Sequence, residues 1–312
     1  MKVVVTGAAG FIGSHLTERL LRDGHTVTGV DSFDAFYDPQ IKRRNIAGAL
    51  ENPAFDLVET DIRDQVAMDK AIGENVDAIV HLAARAGVRP SIEQPALYTD
   101  VNINGTVVLL EIARLRGIKK FVFASSSSVY GNNKKVPFSE ADNVDFPISP
   151  YAATKKAGEL ICHTYHHLYD IGMTCLRFFT VYGPRQRPDL AIHKFARLIE
   201  AGEPIPVYGD GSMRRDFTYI DDIINGVVAA IDRCSGYQIY NLGESRPICV
   251  SDLIAEIEKA LGKQAVKNHL PVQPGDVNQT YADVAKAQRD LDYSPTTHID
   301  QGLAAFVAWL RQ

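Results

Sequence analysis

The chain has 312 residues, 46% of them hydrophobic and 23% charged, as in an ordinary soluble globular protein. Its length suits one nucleotide-binding domain with a smaller appended lobe. The formal net charge of −5 argues against a nucleic-acid partner, because there is no overall basic field to recruit phosphates.

The N-terminal residues begin a strand at once, without a signal peptide, and no apolar run approaches the ~20 residues of a membrane helix. The cysteines have neither metal-site nor disulfide-framework spacing; they are Cys162, Cys175, Cys234 and Cys249. We therefore expect a cytoplasmic protein with reduced thiols, no membrane partner and no metal.

Short apolar strands alternate with amphipathic stretches, a pattern typical of βαβ units around a parallel sheet. Strands are predicted at Val3–Val5, His25–Val30, Phe55–Glu59, Ala78–Leu82, Phe121–Ala124 and Thr174–Phe179. Helices are predicted at Phe11–Arg22, Val101–Arg116, Tyr151–Tyr169 and Ile192–Glu200, with two or three more in residues 246–312, one of them ending in Trp309. Because the strands are continuous apolar runs, the sheet should be buried on both faces.

A glycine motif follows the first strand and opens the first helix. Gly7, Gly10 and Gly13 have the spacing G-x-x-G-x-x-G, with Phe11 and Ile12 inside it. Glycines here permit a tight turn and a close approach of the backbone to a pyrophosphate, which the exposed N–H groups of the helix start can bind. In this context the motif predicts a dinucleotide site.

Acidic residues after the next two strands extend this site. Asp31 ends the second strand, where a carboxylate can accept hydrogen bonds from the adenosine ribose. It would repel a 2′-phosphate, so the predicted cofactor is NAD and not NADP. Asp61 and Ile62, after the third strand, are predicted to border the adenine.

A tyrosine and a lysine one helical turn apart form the predicted catalytic pair. Tyr151 and Lys155 share one helix face. A neighbouring ammonium and a positively charged nicotinamide would lower the tyrosine pKa, so that Tyr151 could take a proton from a sugar hydroxyl. The serine run 125–128 follows the fifth strand, and ligands sit beyond such carboxyl ends.

Five motifs together resemble the extended short-chain dehydrogenases/reductases, and more narrowly the NAD-dependent sugar-nucleotide epimerases and dehydratases. They are G-A-A-G-F-I-G (7–13), H-L-A-A (81–84), V-N-I-N-G-T (101–106), S-S-S-S-V-Y-G (125–131) and Y-A-A-T-K (151–155). The resemblance implies an α/β, Rossmann-type doubly wound parallel sheet with a smaller C-terminal substrate-binding lobe. Residues 1–180 and about 210–243 would form the NAD-binding domain, and residues 181–209 and 244–312 the sugar-nucleotide lobe.

The same resemblance assigns roles to individual residues. Ser126 would be the catalytic hydroxyl and Tyr151 the base, while Lys155 would also hold the nicotinamide ribose. Leu82, Ala83, Ala84 and Asn102 would join the cofactor contacts. The helices at 101–116 and 151–169 would form a homodimer interface.

The positions beside the catalytic serine distinguish the reactions of this family. Dehydratases resemble one another in carrying Asp-Glu there, and the decarboxylating branch carries Glu, whereas this chain has Ser127 and Ser128. The resemblance therefore favours C4 epimerisation: a hydride moves to NAD, a 4-keto sugar turns over, and the hydride returns to its other face.

Residues of the second half resemble the family's nucleotide site. Arg215 would bind the substrate pyrophosphate, a task suited to a guanidinium fork. Tyr208 is placed like a uracil-facing residue, and Asp276 like the acid that contacts the nucleotide ribose. Many relatives have an arginine just before that acidic loop, where this chain has Gln273.

The stretch 179–189, the four serines and the Q-P-G-D-V loop resemble the UDP-glucuronate 4-epimerases. In this reading Thr180, Ser127 and Ser128 lie at the sugar, and Arg185 binds its carboxylate. A 4-keto glucuronate is a β-keto acid that loses CO₂ when the breaking bond aligns with the carbonyl π system. A held carboxylate can be kept out of that alignment.

Two alternatives remain. Thr280 stands where hexose-specific relatives have a tyrosine, so UDP-N-acetylglucosamine or UDP-glucose/UDP-galactose epimerisation is the second hypothesis. A non-catalytic NAD-binding sensor or scaffold is the third, although such a protein is expected to have lost the tyrosine or the lysine.

Overall fold

The computed structural model describes residues 1–271 and 279–312. Seven strands form its main sheet: β1 (Lys2–Thr6), β2 (Thr26–Asp31), β3 (Phe55–Glu59), β4 (Ala78–His81), β5 (Lys120–Ser126), β6 (Gly172–Phe178) and β11 (Tyr237–Leu242). Their order across the sheet is β11-β6-β5-β4-β1-β2-β3. All neighbouring strands run parallel, which confirms the predicted α/β class.

The strand order places a switch point between β1 and β4. The chain moves from β1 to β2 and β3 in one direction, then returns to β4 and continues outwards on the other side. Polar groups at the carboxyl ends of β1 and β4 therefore border one crevice, where open α/β sheets bind their ligands.

Helices lie on both faces of this sheet and among the short strands of the second half. They are α1 (Phe11–Arg22), α2 (Pro39–Leu50), α3 (Gln65–Ile72), α4 (Val88–Glu93), α5 (Pro95–Thr99), α6 (Gly105–Leu115), α7 (Pro150–Tyr169), α8 (Ala191–Ala201), α9 (Ile220–Asp232), α10 (Val250–Leu261), α11 (Ala285–Leu291) and α12 (Ile299–Leu310). Two apolar clusters lie on the two sides: alternate β1 residues Val3 and Val5 belong to one and Val4 to the other. The sheet is thus buried on both faces, as its continuous apolar strands predict.

The remaining strands form short pairs. Strands β7 (Thr180–Tyr182) and β10 (Phe217–Tyr219) pair in parallel, as do β8 (Ile205–Tyr208) and β13 (Lys267–Leu270), whereas β9 (Arg214–Arg215) and β12 (Ile248–Cys249) pair antiparallel. These pairs and helices α10–α12 lie in the second half of the chain, where the sequence no longer alternates regularly between strand and helix patterns.

The predicted helix at 101–116 is interrupted at its start. Residues Asp100–Asn104 form a turn of π-helix that leads into α6, so the regular helix begins at Gly105. Turns of this kind are frequent at functional sites because the wider turn re-aims one side chain. Here it carries Asn102, which is 2% exposed.

Candidate active site

The glycine loop connects β1 to α1 through a turn that requires glycine. Gly7 has a φ of +71°, in the left-handed region, and its N–H donates to Val30 O at 2.7 Å. A Cβ on Gly13 would lie 2.0 Å from the Gly7 carbonyl oxygen. Gly10 is the N-cap of α1, and Phe11, Ile12 and Gly13 form its first turn. The helix start thus faces the crevice with free N–H groups, as a bound pyrophosphate requires.

Asp31 lies at the end of β2, beside this loop. Its carboxylate accepts hydrogen bonds from the backbone N–H groups of Ala9 (3.1 Å) and Phe33 (2.9 Å), and Lys42 Nζ is 4.0 Å away. Burial raises the pKa of Asp31, while Lys42 and both N–H groups oppose that shift. The carboxylate is positioned for a ribose, and these residues fit NAD.

The two residues predicted to border the adenine, Asp61 and Ile62, have different surroundings. Asp61 is engaged by Arg63, whose Nη2 lies 2.6 Å from its carboxylate and whose Nη1 bridges to Asp100 at 2.6 Å. Ile62 is buried against Gly105: a Cβ added to Gly105 would lie 2.5 Å from Ile62 Cδ1. Ile62 therefore forms an apolar wall, and Asp61 a charged rim.

Residues after β4 form the other wall of the crevice. Ala83 lies against Gly7, whose added Cβ would be 2.9 Å from the Ala83 nitrogen. Leu82, Ala83 and Ala84 are half-buried. The Asn102 amide spans this segment, accepting from Arg85 N (2.8 Å) and donating to Arg85 O (3.0 Å). The predicted cofactor residues 82–84 and Asn102 are therefore held in one unit.

The three predicted catalytic residues meet at the carboxyl end of β5. Ser126 is the last residue of β5, and Tyr151 lies in the first turn of α7, which Ser149 caps through Ala152 N. The Ser126 hydroxyl lies close enough to Tyr151 to lower the Tyr151 pKa. Lys155 Nζ lies 5.9 Å from the centre of the Tyr151 ring and donates to Ala124 O at 2.7 Å.

The pKa values of this pair are set mainly by burial. Burial raises the pKa of Tyr151, and the Ser126 hydrogen bond and the Arg187 charge only partly oppose the shift. Burial also lowers the pKa of Lys155 to about 8. The expectation that the lysine lowers the tyrosine pKa is thus not met by the protein alone, because desolvation is the larger effect.

The predicted sugar residues line one cavity of about 150 Å³. Ser127 and Ser128 enter it from a 3₁₀ turn after β5, Thr180 from β7 and Arg215 from β9, together with Thr280. Ser126 Oγ donates to Ser128 Oγ at 3.1 Å, which connects this cavity to the catalytic serine. The structure therefore brings residues distant in sequence to one side of Tyr151. A larger cavity, of about 470 Å³, lies between β11 and α11 and contains none of the predicted site residues.

The loop after β7 carries two arginines with different surroundings. Arg185 forms an ion pair with Glu18 of α1 at 2.8 Å. Arg187 pairs through Nη2 with Asp189 at 2.8 Å, and it lies near enough to Tyr151 for its charge to lower the Tyr151 pKa. Arg187 therefore joins Arg185 as a candidate ligand for the sugar carboxylate.

At the nucleotide end, Tyr208 ends β8 and its ring lies 4.5 Å from the Arg89 guanidinium carbon. Asp276 and Gln273 lie outside the described residues.

Sequence reasoning missed Tyr98, which packs edge-on against Tyr151 with ring centres 6.3 Å apart. It also missed Arg85 and Phe36 of the crevice, since no motif contains them.

Among the described residues, no helix is long and apolar enough to cross a membrane, and no cluster of three or more His, Cys, Asp or Glu could hold a metal. The Cys162, Cys175, Cys234 and Cys249 thiols are free.

A half-buried tyrosine, beside a serine and one turn from a lysine, lacks only a hydride acceptor for the oxidation of an alcohol. With the glycine loop of the same sheet, this defines a nicotinamide-dependent enzyme of the short-chain dehydrogenase/reductase class. The chain belongs to the NAD-dependent epimerase/dehydratase family, whose model matches residues 3–243. This membership confirms the expected family and NAD as the cofactor.

Similar proteins cover the chain end to end. The UDP-glucuronate 4-epimerase of Thermodesulfobacterium geofontis is 44% identical, over 99% of this chain and 96% of that protein. A crystal structure of the Bacillus cereus UDP-glucuronic acid 4-epimerase, in complex with UDP-glucuronic acid and NAD, is 40% identical with a TM-score of 0.93, over 100% and 99% of the chains. The Thermotoga maritima UDP-glucose 4-epimerase, solved with UDP-glucose, is 32% identical with a TM-score of 0.92 over the same shares. These likenesses confirm the predicted fold.

Proposed function

We propose that the protein inverts C4 of UDP-glucuronate, forming UDP-galacturonate through a transient 4-keto sugar with tightly bound NAD. The observation that carries this proposal is the loop after β5, which presents Ser126, Ser127 and Ser128 beside Tyr151 and no carboxylate. Without an acid there, neither water loss nor assisted decarboxylation has its catalyst. The similar UDP-glucuronate 4-epimerases support the choice of substrate.

The protein's own groups manage the C4 proton. Tyr151 accepts the proton of the C4 hydroxyl, and Ser126, close beside Tyr151, orients that hydroxyl. When bound, NAD supplies the hydride acceptor and a positive charge beside Tyr151. Lys155, fixed to Ala124 O, is placed to hold the nicotinamide ribose. Asn102, Asp31 and the glycine loop complete the cofactor site.

The sugar carboxylate requires its own binding groups. We assign it to Arg187, with the Ser127, Ser128 and Thr180 hydroxyls, because Arg187 is the arginine of its loop whose charge acts on Tyr151. Holding the carboxylate keeps its bond to C5 out of line with the 4-keto π system. The intermediate then survives long enough to turn over.

The proposal also keeps the sequence predictions for the nucleotide contacts, the domain bounds and the cellular location. Arg215 takes the substrate pyrophosphate, Tyr208 the uracil and Asp276 the nucleotide ribose. Residues 1–180 and 210–243 form the NAD-binding domain, and 181–209 and 244–312 the substrate lobe. The enzyme acts in the cytoplasm, in keeping with its free thiols.

We also propose a homodimer through α6 and α7. The outer faces of these helices expose large apolar side chains: Leu115 (63% exposed), Leu160 (56%) and Leu168 (58%). Burying such a surface against a second copy would remove it from water. Light scattering of the purified protein measures its mass directly.

Thr280 supports a second candidate function, the 4-epimerisation of neutral UDP-hexoses or UDP-N-acetylhexosamines. It is small, 8% exposed, and lines the serine cavity, so it leaves room beside the sugar. The similar Thermotoga maritima enzyme is a UDP-glucose 4-epimerase.

NMR of the purified protein with UDP-glucuronate, UDP-glucose and UDP-N-acetylglucosamine in parallel, without added reductant, tests the proposal. We expect UDP-galacturonate to form and the two neutral substrates to stay unchanged. Turnover of only the neutral sugars would transfer the assignment to the second candidate. A stable 4-keto product or a UDP-pentose would contradict epimerisation.

A further inference from the structure

Side chains of residues 32–38, which connect β2 to α2, contact the opposite wall of the cofactor crevice. The segment leaves β2, which borders β1, yet it contacts Arg85 after β4 and Arg187 after β7. These contacts therefore bridge the carboxyl end of β1, where the glycine loop and the switch point lie. Open α/β sheets bind their ligands in that crevice.

Two contacts fasten the tip of this segment to the opposite wall. The Asp34 carboxylate forms an ion pair with the Arg85 guanidinium, 51 residues away in the chain. The Phe36 ring contacts two cations, with the Arg85 guanidinium carbon 5.2 Å and that of Arg187 5.4 Å from the ring centre. Arginine in this position is attracted to the face of the ring.

The backbone of the segment is held on the side of β2 and α2. Lys42 Nζ donates to Asp34 O at 2.9 Å and lies 4.9 Å from the centre of the Tyr37 ring. Asp38 caps α2 by accepting from Gln40 N at 2.9 Å. Only the Asp34 carboxylate and the Phe36 ring reach the opposite wall, so they can release from it while the backbone stays in place.

One polar atom of the opposite wall has no partner. The Arg85 Nε is buried and makes no hydrogen bond, although the same guanidinium holds Asp34 through Nη1. A buried cationic donor without an acceptor is costly, so an acceptor is expected there in the loaded enzyme. The pyrophosphate and ribose oxygens of a dinucleotide are acceptors of the required kind.

We propose that residues 32–38 form a strap that retains the bound dinucleotide, with the Asp34–Arg85 ion pair and the Phe36–arginine contacts as its fastening. This inference rests on the proposed function, because an epimerase regenerates its cofactor in every turnover and gains from slow release. A dehydrogenase, by contrast, must exchange its cofactor after each cycle. The ion pair and the ring contacts join segments that are far apart in sequence. The dinucleotide is therefore retained only while these contacts are made.

The test measures the release of NAD from the full-length protein. Enzyme loaded with radiolabelled NAD is mixed with excess unlabelled NAD, and the label that stays bound is followed over time. We expect release to be about two- to fivefold faster in Phe36→Ala and in Asp34→Asn, since each removes one fastening of the strap. Asp38→Asn is the matched control, because it makes the same charge change on the same segment and an asparagine still caps α2.

A second pair of variants excludes a general loss of structure. Phe36→Leu keeps an apolar side chain but removes the ring, so it should also speed release while thermal unfolding of the NAD-free protein stays as in wild type. Asp34→Asn should add little when it is combined with Arg85→Gln, since Arg85→Gln alone already removes the ion pair. Release rates in Phe36→Ala and Asp34→Asn that equal the Asp38→Asn rate would overturn the strap.

The outcomes for the strap and for the proposed function are separable. A protein that epimerises UDP-glucuronate but releases NAD at the same rate in all these variants would refute only the strap. A protein without epimerase activity, whose NAD release still accelerates in Phe36→Ala, would retain the strap and lose the proposed function.

Discussion

A buried ion pair connects the catalytic serine loop to the catalytic helix. Arg177 on β6 donates from Nε and Nη2 to the two carboxylate oxygens of Glu159 on α7, at 2.8 and 2.9 Å. Their side chains are 1% and 0% exposed. Ser125, the neighbour of Ser126, donates to Glu159 at 2.6 Å, and Arg177 Nη1 donates to Tyr130 Oη at 3.0 Å.

Glu159→Gln should destabilise the protein strongly. The replacement keeps the side-chain size, so no cavity forms, but the Arg177 guanidinium stays buried without a counter-charge. Burial lowers the pKa of Arg177, and its bonds to Glu159 more than offset this, so the native guanidinium is firmly charged. Removing one partner of such a pair costs about 3–5 kcal/mol of the free energy of unfolding.

Urea unfolding of the NAD-free protein, followed by circular dichroism, measures this free energy. Lys156→Gln is the control, because Lys156 lies 3.7 Å from the same carboxylate but near the surface, and its loss should cost less than about 1 kcal/mol. The double variant Glu159→Leu with Arg177→Met should recover much of the stability, since neither charge then remains buried. A loss below about 1 kcal/mol in Glu159→Gln, at unchanged denaturant dependence, would refute this reasoning.

The other predictions concern the reaction centre. Tyr151→Phe should lower kcat about a hundredfold to ten-thousandfold while calorimetry shows unchanged UDP-sugar binding, because only the proton acceptor is lost. Lys155 has a folded pKa of about 8 against its ordinary 10.5, so the unfolded chain binds more protons between these values. The stability of the NAD-free protein should therefore rise with pH across that window, by at most about 1.4 kcal/mol per unit, and Lys155→Met should abolish the rise in urea titrations. Arg187→Ala should release a UDP-pentose from UDP-glucuronate, seen by mass spectrometry, whereas Arg185→Ala should not; the opposite pattern would restore Arg185 as the carboxylate ligand.

The main sheet could be predicted because local patterns determine it. The helix Phe11–Arg22 and the strand Phe55–Glu59 have the predicted bounds, since apolar spacing and the glycine loop mark their ends. The positions of Ser126 at the end of β5 and Tyr151 in the first turn of α7 could also be anticipated, because they follow from the carboxyl-end rule and the helix pattern.

The loop after β7 could not be predicted, because its direction depends on backbone conformation. Arg185 has a φ of +65°, an unusual value for a residue with a side chain. Arg185 lies against Glu18, whereas Arg187 pairs with Asp189. The sequence Arg185-Gln186-Arg187 alone does not show that its two arginines have different partners.

The π-turn at 100–104 and the strap were missed for a related reason. Asp100–Asn104 reads as ordinary helix, because its widening comes from tertiary packing of Asn102 against Arg85 and Thr154. The Asp34–Arg85 pair joins residues 51 positions apart, and a single sequence does not reveal such a contact.

The most direct test of C4 epimerisation uses UDP-glucuronate with deuterium at C4. The account predicts that NMR will show UDP-galacturonate with the deuterium still at C4, since the same hydrogen leaves and returns within a closed site. Product that carries ordinary hydrogen at C4, with deuterium in the water, would contradict the account.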